Sequence, residues 1–229
     1  MKEVVDKEMK KTVIIVGGGR GVRMGGDLPK QFIPLQGKPV LMHTLNVFYQ
    51  WDATADLLLV IPEEYDAYWK MLCKELNFSI PYRTVFGGET RFQSVRNGLR
   101  EVGRSGLIAV HDGVRPFVSP DIITSCFQMA EVYGAAIPVI PMIESTREYI
   151  EDKSQAFDRR RLCIVQTPQV FHADLLHKAY EQTYEEHFTE CASLVEALGH
   201  TIHLVSGSHE NIKITTPIDI QYANIIIEN

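Results

Sequence analysis

Short apolar runs alternate with longer stretches of helical periodicity along most of this chain. Four of the runs are rich in aliphatic residues and are typical of strands that a sheet buries on both faces. They span residues 13–16, 57–61, 107–110 and 135–139. Helices are predicted over residues 39–51, 63–76, 120–133 and 174–186, and another follows Arg91. This alternation predicts an α/β fold with a mostly parallel sheet and helices on both faces.

The segment 138–165 breaks this alternation. It holds two alternating runs, residues 146–150 and 162–165, with the basic cluster Arg159–Arg161 between them. Two strands joined across roughly ten polar residues predict a projecting β-hairpin arm. Because an isolated hairpin cannot bury its own apolar face, we expect a second subunit to cover it. We therefore predict a single domain over residues 1–229, with 138–165 as a dimerisation arm.

The first strand runs directly into a glycine-rich loop. Four glycines follow it: Gly17, Gly18, Gly19 and Gly21. Three cations lie in the same stretch: Arg20, Arg23 and Lys30. Glycine lets a ligand approach bare backbone N–H groups, so the loop predicts a site for a dense negative charge such as a triphosphate. The dinucleotide fingerprint fails because Met24 stands where its last glycine would be, and the P-loop pattern is absent.

A second glycine turn, Gly87-Gly88-Glu89, opens onto the helix that follows Arg91. Phe92, Val95 and Leu99 recur at helical spacing and are predicted to pack into the core. Ser94 lies on another face of the first turns. From the pattern alone it is either a solvated helix serine or a side chain that reaches a ligand held by the glycines.

The third strand ends in His111-Asp112 and is followed by Gly113 and Arg115. Open α/β sheets bind their ligands at the carboxyl ends of central strands. Asp112 is therefore a candidate ligand for Mg²⁺, although it could instead pair with Arg115 or form an Asx turn. A histidine in a buried run is more often structural than catalytic, so His111 is predicted to be structural.

Lys213 and the Arg159–Arg161 cluster can each be explained by structure alone, without a ligand. Lys213 lies between Ile212 and Ile214, an alternation that predicts a strand with the lysine turned away from its apolar neighbours. The Arg159–Arg161 cluster is explained by a solvated turn.

Composition narrows the class of protein. A net charge of −6 argues against a nucleic-acid partner and makes the cationic loop more informative. No apolar run approaches the roughly 18 residues that span a bilayer, and the charged first residues lack the apolar core of a signal peptide. Four well-separated cysteines without a C-x-x-C pair indicate neither a disulfide framework nor a zinc site. We expect a soluble cytoplasmic protein.

Five motifs in order carry a family resemblance: GGGRGVRM with LPKQ, GGETRFQSVRNGL, HDGVRPF, DRRRLCIVQTPQVF and NIKITTPIDI. Together they resemble the 2-C-methyl-D-erythritol 4-phosphate cytidylyltransferase family over residues 12 to about 226. The resemblance implies a Rossmann-like, GT-A-like nucleotidyltransferase fold. It also implies a homodimer that joins CTP to a sugar-alcohol phosphate with Mg²⁺ and releases pyrophosphate.

The resemblance also implies roles for individual residues. The catalytic cations would be Arg23 and Lys30. The nucleotide would be bound by Gly17, Gly18, Gly19, Gly21, Gly88, Glu89, Ser94 and Gly113. The acceptor phosphate and metal would be bound by Asp112, Arg115, Thr167, Lys213 and Arg159, with Asp112 as the metal ligand. Arg159 would reach into the site of the neighbouring subunit.

Two departures from the family pattern leave alternatives open. Gly17 and Gly18 stand where the family usually has alanines, and Pro141-Met142-Ile143-Glu144 replaces a common D-[TS]-x-K. Ribitol-5-phosphate cytidylyltransferase is therefore the nearest alternative. The other two are an NAD(P)-dependent oxidoreductase, which Met24 disfavours, and a nucleotide-binding module without activity.

Overall fold

A computed structural model describes residues 9–18 and 28–228 of the protein. These residues form twelve strands: β1 Lys11–Val16, β2 Pro34–Leu35, β3 Lys38–Pro39, β4 Asp56–Ile61, β5 Arg83–Phe86, β6 Leu107–Asp112, β7 Ala135–Pro141, β8 Thr146–Ile150, β9 Lys153–Phe157, β10 Cys163–Val165, β11 Gln169–His172 and β12 His203–Ser206. They also form seven α-helices: α1 Val40–Trp51, α2 Asp66–Glu75, α3 Arg91–Arg100, α4 Pro120–Tyr133, α5 Ala173–Ala179, α6 Cys191–Ala197 and α7 Pro217–Glu228. None of the helices in this part of the chain is long and apolar enough to cross a membrane.

Eight of the strands make one mixed sheet in the order β10-β7-β11-β6-β1-β4-β5, with β12 paired to β7. The central strands β6, β1, β4 and β5 run parallel, whereas β11 and β10 are antiparallel to their neighbours. The predicted α/β fold with a mostly parallel sheet is confirmed.

Helices cover both faces of the sheet because successive side chains of a strand point to opposite faces. Val13 and Ile15 of β1 pack on one face with residues of α1, α2 and α4. Ile14, between them, packs on the other face with residues of α3, α5 and α6. All three side chains are 0% exposed, as expected for a continuous apolar run in a central parallel strand.

Helix α4 shows how local sequence sets the bounds of an element. The Ser119 hydroxyl accepts a hydrogen bond from the Ile122 N–H, and Pro120 occupies the first turn. Gly134 ends the helix in a left-handed conformation with φ of 90°. The helix therefore has the bounds that the sequence predicts.

The strand pairing predicted for the arm is wrong. Residues 146–150 pair with β9, through a register that joins Ile150 to Lys153 across a two-residue turn. Glu151 in this turn has φ of 52°. Residues 163–165 instead form β10, which pairs with β7 in the main sheet. The sequence of β9, KSQAF, is too polar to show strand alternation, so its pairing with β8 was missed. Arg159–Arg161 form a 3-10 turn after the hairpin and do not lie at its tip.

Three other elements differ from their predictions. The helix predicted to reach residue 186 ends at Ala179, where the Gln182 amide donates to the Ala179 and Leu194 carbonyls. The helix predicted over 63–76 begins with a 3-10 turn, and α2 starts at Asp66. Residues 212–214 alternate as predicted, with Ile214 buried and Lys213 exposed, but they are not a strand.

Replacing Gly106 with alanine should strongly destabilise the fold. Gly106 has φ of +87°, and a Cβ there would overlap the Lys10 carbonyl oxygen, which accepts from the Leu107 N–H at 2.9 Å. We expect Gly106→Ala to lower the free energy of unfolding by more than about 2 kcal/mol. Gly103→Ala, in the same loop with nothing within 4 Å of its added Cβ, is the control and should change it by less than about 0.5 kcal/mol. Equal urea midpoints for the two variants would contradict this.

Candidate active site

A cavity of about 610 Å³ opens where β1, β4, β5 and β6 end. This is the edge at which open α/β sheets bind ligands, and the volume suits a nucleotide-sized molecule. Its lining includes most of the positions predicted to bind substrate: Gly17, Gly18, Lys30, Gly88, Glu89, Ser94, Asp112 and Lys213.

The floor of the cavity is set by the register of β1 against β6. Val16 is paired with Asp112, so the glycine loop begins beside the carboxylate. The Gly113 N–H donates to the Val16 carbonyl at 2.9 Å, and a Cβ on Gly113 would lie 2.9 Å from Leu41 Cδ1. Gly113 therefore lies behind the floor and allows close packing. The structure does not bring it into the lining of the cavity.

Lys30 reaches the cavity wall from a short 3-10 turn, residues 30–32. Next to it, the Gln31 amide donates to the Gly17 carbonyl at 2.6 Å, which ties this turn to the start of the glycine loop. Phe32 is 2% exposed. Its ring centroid lies 5.6, 5.5 and 6.1 Å from those of three aromatic residues, Tyr65, Tyr68 and Trp69. These contacts anchor the backbone that carries the Lys30 ammonium.

Three predicted site residues, Gly19, Gly21 and Arg23, lie outside the described residues. Their roles remain predictions.

Ser94 lies beneath both glycine turns. It is 2% exposed, and its hydroxyl accepts from the Gly88 N–H at 3.1 Å. A Cβ on Gly87 or Gly18 would come within 2.9 or 3.3 Å of the Ser94 Oγ. Of the two possibilities left open for Ser94, the solvated helix serine is wrong, and the side chain lines the cavity.

The backbone N–H groups of the second turn are already paired within the protein. The Gly87 N–H donates to the Ile61 carbonyl at 2.9 Å, and the Gly88 N–H donates to Ser94. The Glu89 N–H donates to the Gln93 side chain at 2.7 Å, within a capping box that begins α3. The backbone N–H groups of the turn are therefore engaged within the protein, and the Ser94 hydroxyl also lies 3.4 Å from the Gly88 carbonyl.

Asp112 is the centre of the charged part of the site. Its Oδ2 lies 2.9 Å from Lys213 Nζ and 3.4 Å from Arg115 Nε, and its Oδ1 lies 3.6 Å from Arg91 Nε. Burial alone would raise the pKa of Asp112, but the charges of Arg91, Lys213 and Arg115 outweigh burial and hold this pKa well below its ordinary value. Asp112 therefore stays ionised, and the predicted Asp–Arg pair exists within a larger cationic cluster.

The C-terminal loop that brings Lys213 to Asp112 is fixed by buried hydrogen bonds. Arg115 is 8% exposed, and its Nη1 donates to the Asn211 carbonyl at 2.7 Å. The Asn211 amide donates to the Thr167 carbonyl at 2.9 Å, and the Ile214 N–H donates to the Val114 carbonyl at 2.9 Å. Arg115 thus joins Asp112 to the loop from below and does not line the cavity.

His111 and Thr167 form a buried pair behind Asp112. The Thr167 hydroxyl accepts from the Asp112 N–H at 3.1 Å and lies 3.0 Å from His111 Nδ1, to which it donates. His111 Nε2 is then the protonated nitrogen, and it donates to the Arg115 carbonyl at 3.0 Å. Burial lowers the pKa of His111 to about 4, so the ring is neutral at physiological pH. His111 is structural, as predicted, and Thr167 does not line the cavity.

Arg159 does not join the site of its own chain. It lies on the exposed 3-10 turn after the hairpin and donates to the Ile143 carbonyl. Its predicted contact with substrate requires a second subunit.

Comparisons with known proteins identify the family and support the overall fold. The model of the 2-C-methyl-D-erythritol 4-phosphate cytidylyltransferase family matches residues 11–229. Proteins of that name from Bacteroides thetaiotaomicron and Porphyromonas gingivalis are each 50% identical, over 96% of this chain and 100% and 99% of theirs. A crystal structure of 4-diphosphocytidyl-2C-methyl-D-erythritol synthase from Anaerococcus prevotii superposes with a TM-score of 0.83, at 26% identity over 100% of both chains.

The chain belongs to the 2-C-methyl-D-erythritol 4-phosphate cytidylyltransferase family. The predicted family and enzyme class are confirmed, and the main prediction is favoured over the ribitol-5-phosphate alternative. The departure at 141–144 lies at the base of the arm. There Pro141 pairs with Cys163, and the Met142 N–H donates to the Leu162 carbonyl at 3.3 Å.

Sequence reasoning missed Arg91 as a residue of the candidate site. Arg91 opens α3, lines the cavity and contacts Asp112. The only signal was its place at the start of a helix that follows a glycine turn, and many surface arginines share that feature. Gln31 was missed too, although it lies within the P-K-Q motif.

To hold Mg²⁺, the site would need ligands from a substrate in addition to its own carboxylate. Among the described residues there is no group of three or more side chains placed to hold a metal. Asp112 supplies one ionised carboxylate, and Mg²⁺ is commonly bound by one or two carboxylates together with substrate phosphates and water. The donor set therefore fits Mg²⁺ that arrives with a nucleotide.

Acid should weaken the fold through His111. The pKa of His111 is about 4 in the folded protein and 6.5 in the unfolded reference state. Between these values the unfolded chain binds a proton that the folded protein does not, so stability is present above 6.5 and is lost as pH falls. When the pH is lowered from about 7 to about 5, the free energy of unfolding should therefore fall by about 2 kcal/mol more in wild type than in His111→Gln. Urea unfolding at the two pH values measures this difference. Equal losses would show that His111 does not carry this dependence.

Proposed function

We propose that the protein joins CTP and 2-C-methyl-D-erythritol 4-phosphate to give 4-diphosphocytidyl-2-C-methyl-D-erythritol and pyrophosphate. Family membership supports the reaction. The observation that carries the proposal for these residues is the cluster of Asp112, Lys213 and Arg91 in the same cavity as Lys30.

The reaction is an in-line attack by an acceptor phosphate oxygen on the α-phosphorus of CTP. The new P–O bond forms as the bond to the leaving pyrophosphate breaks. An acceptor phosphate is already anionic at neutral pH, so no general base is needed, and the neutral, fully hydrogen-bonded His111 supplies none. The obstacle is repulsion between anions, so catalysis is positioning and electrostatic stabilisation.

The cations divide between the two substrates. Lys30, with Arg23 as predicted, stabilises the triphosphate and the leaving pyrophosphate. Lys213 binds the acceptor phosphate, and Arg91 adds positive charge beside Asp112. Asp112 would also hold Mg²⁺, which supplies charge neutralisation at the phosphates when bound. In the protein itself, Asp112 orients Lys213 and Arg91 by direct ion pairs.

The second glycine turn supports cytidine as the base. The N–H groups of Gly87, Gly88 and Glu89 are engaged inside the protein, so they are not available as donors to a base. The exocyclic amino group of cytosine is a donor, whereas uracil has an acceptor at the same position. The uracil acceptor would find none of these donors, which favours CTP over UTP.

A homodimer completes the proposed site. The arm exposes large apolar side chains: Tyr149 (74%) and Ile150 (53%) lie in the hairpin, and Ile143 (61%) lies just before it. A second copy would cover them, and Arg159 of each chain would then bind acceptor phosphate in the other site.

Pyrophosphate release tests the function. We expect release from CTP with 2-C-methyl-D-erythritol 4-phosphate and Mg²⁺, and much less from UTP, from ATP or from ribitol 5-phosphate. Lys30→Ala should lower turnover about a hundredfold because it removes about 3 kcal/mol of transition-state stabilisation. Lys38→Ala is the matched control, since Lys38 is a nearby exposed lysine that does not line the cavity.

Two outcomes would contradict the proposal. Preference for ribitol 5-phosphate would overturn the acceptor, and near wild-type turnover by Lys30→Ala would overturn the role of this lysine.

A further inference from the structure

The guanidinium of Arg91 is contacted by groups from two other elements. Its Nε lies 3.6 Å from Asp112 Oδ1 in β6, and its Nη1 donates to the Cys191 Sγ in α6 at 3.4 Å. The Arg91 side chain is 27% exposed and lines the cavity. Guanidinium carries five N–H donors in a fixed plane, so two contacts set its orientation and leave other donors for an anion.

The sulfur of Cys191 is itself fixed in place. Cys191 is 0% exposed, and its Sγ lies 3.1 Å from the Tyr180 hydroxyl. Its backbone N–H donates to the Gln169 side chain in β11 at 3.0 Å. The Tyr180 ring stacks on Phe92, the residue after Arg91, with centroids 4.9 Å apart. A continuous set of contacts thus runs from Tyr180 through Cys191 to Arg91 and Asp112.

We propose that Cys191 and Tyr180 are positioning residues that hold the Arg91 guanidinium against Asp112 and present it to the phosphates of the nucleotide. A thiol can accept this hydrogen bond without adding a formal charge beside Arg91. A carboxylate at the same place would compensate the positive charge of Arg91 and weaken its attraction for phosphate. The inference deepens the proposed function and rests on it for the identity of the nucleotide.

A double-mutant cycle in CTP affinity, measured by calorimetry, tests the inference. Cys191→Ala should weaken CTP binding about tenfold, because a guanidinium that is no longer held in place loses about one charge-assisted hydrogen bond to phosphate. If Cys191 acts through Arg91, the double variant Arg91→Ala/Cys191→Ala should bind within about twofold of Arg91→Ala alone. Cys191→Ser keeps an acceptor and should bind within about threefold of wild type.

Cys126→Ala is the matched control for loss of a buried thiol. Cys126 is also 0% exposed, but it packs in the core on α4 and does not line the cavity. This variant should bind CTP as wild type does, even where its stability falls as much as that of Cys191→Ala.

Two results would overturn the inference: wild-type affinity in Cys191→Ala, or equal losses from Cys191→Ala in the presence and absence of Arg91. Measuring turnover as well distinguishes failure of this inference from failure of the proposed function. A protein that shows the coupling but uses another acceptor keeps the inference and loses the proposed reaction. A protein that releases pyrophosphate as proposed but shows no coupling keeps the proposed reaction and loses the inference.

Discussion

The attraction between one buried carboxylate and three cations organises this site. Asp112 contacts Arg91, Arg115 and Lys213, which come from α3, from the turn after β6 and from the C-terminal loop. Without Asp112, the three cations would be costly to hold close together, because like charges repel in a partly buried site. The shared carboxylate offsets that repulsion. It leaves an excess of positive charge where two phosphate-bearing substrates would meet.

The sheet makes this convergence possible. Parallel pairing of Val16 with Asp112 places the glycine loop and the carboxylate side by side at one edge. Buried neutral contacts then hold the charged layer from behind, through His111, Thr167 and Asn211. Because His111 is neutral, it adds no positive charge beneath Asp112. A charged histidine there would compete with the substrate-facing cations for the Asp112 carboxylate.

The pattern of neighbouring residues predicted those features of the fold that depend on short stretches of the chain. The apolar run of β1, the glycines after it and Asp112 at the end of β6 were all visible in the sequence. Pairing between distant segments was not visible: β9 is polar, and β10 carries an alternation that suits either the hairpin or the main sheet. From its local pattern Lys213 looked like a surface lysine, and only the motif resemblance assigned it to the site. Arg91 and Cys191 lie 100 residues apart in the chain. Their contacts depend on tertiary packing, for which neither periodicity nor spacing gives a signal.

The most direct test of the central claim is turnover of CTP and 2-C-methyl-D-erythritol 4-phosphate by Asp112→Asn, a change that keeps side-chain shape and removes the charge. If Asp112 organises the cations, turnover at saturating Mg²⁺ should fall by about a hundredfold or more in a protein that still unfolds cooperatively. Turnover by the folded variant within about threefold of wild type would contradict the account.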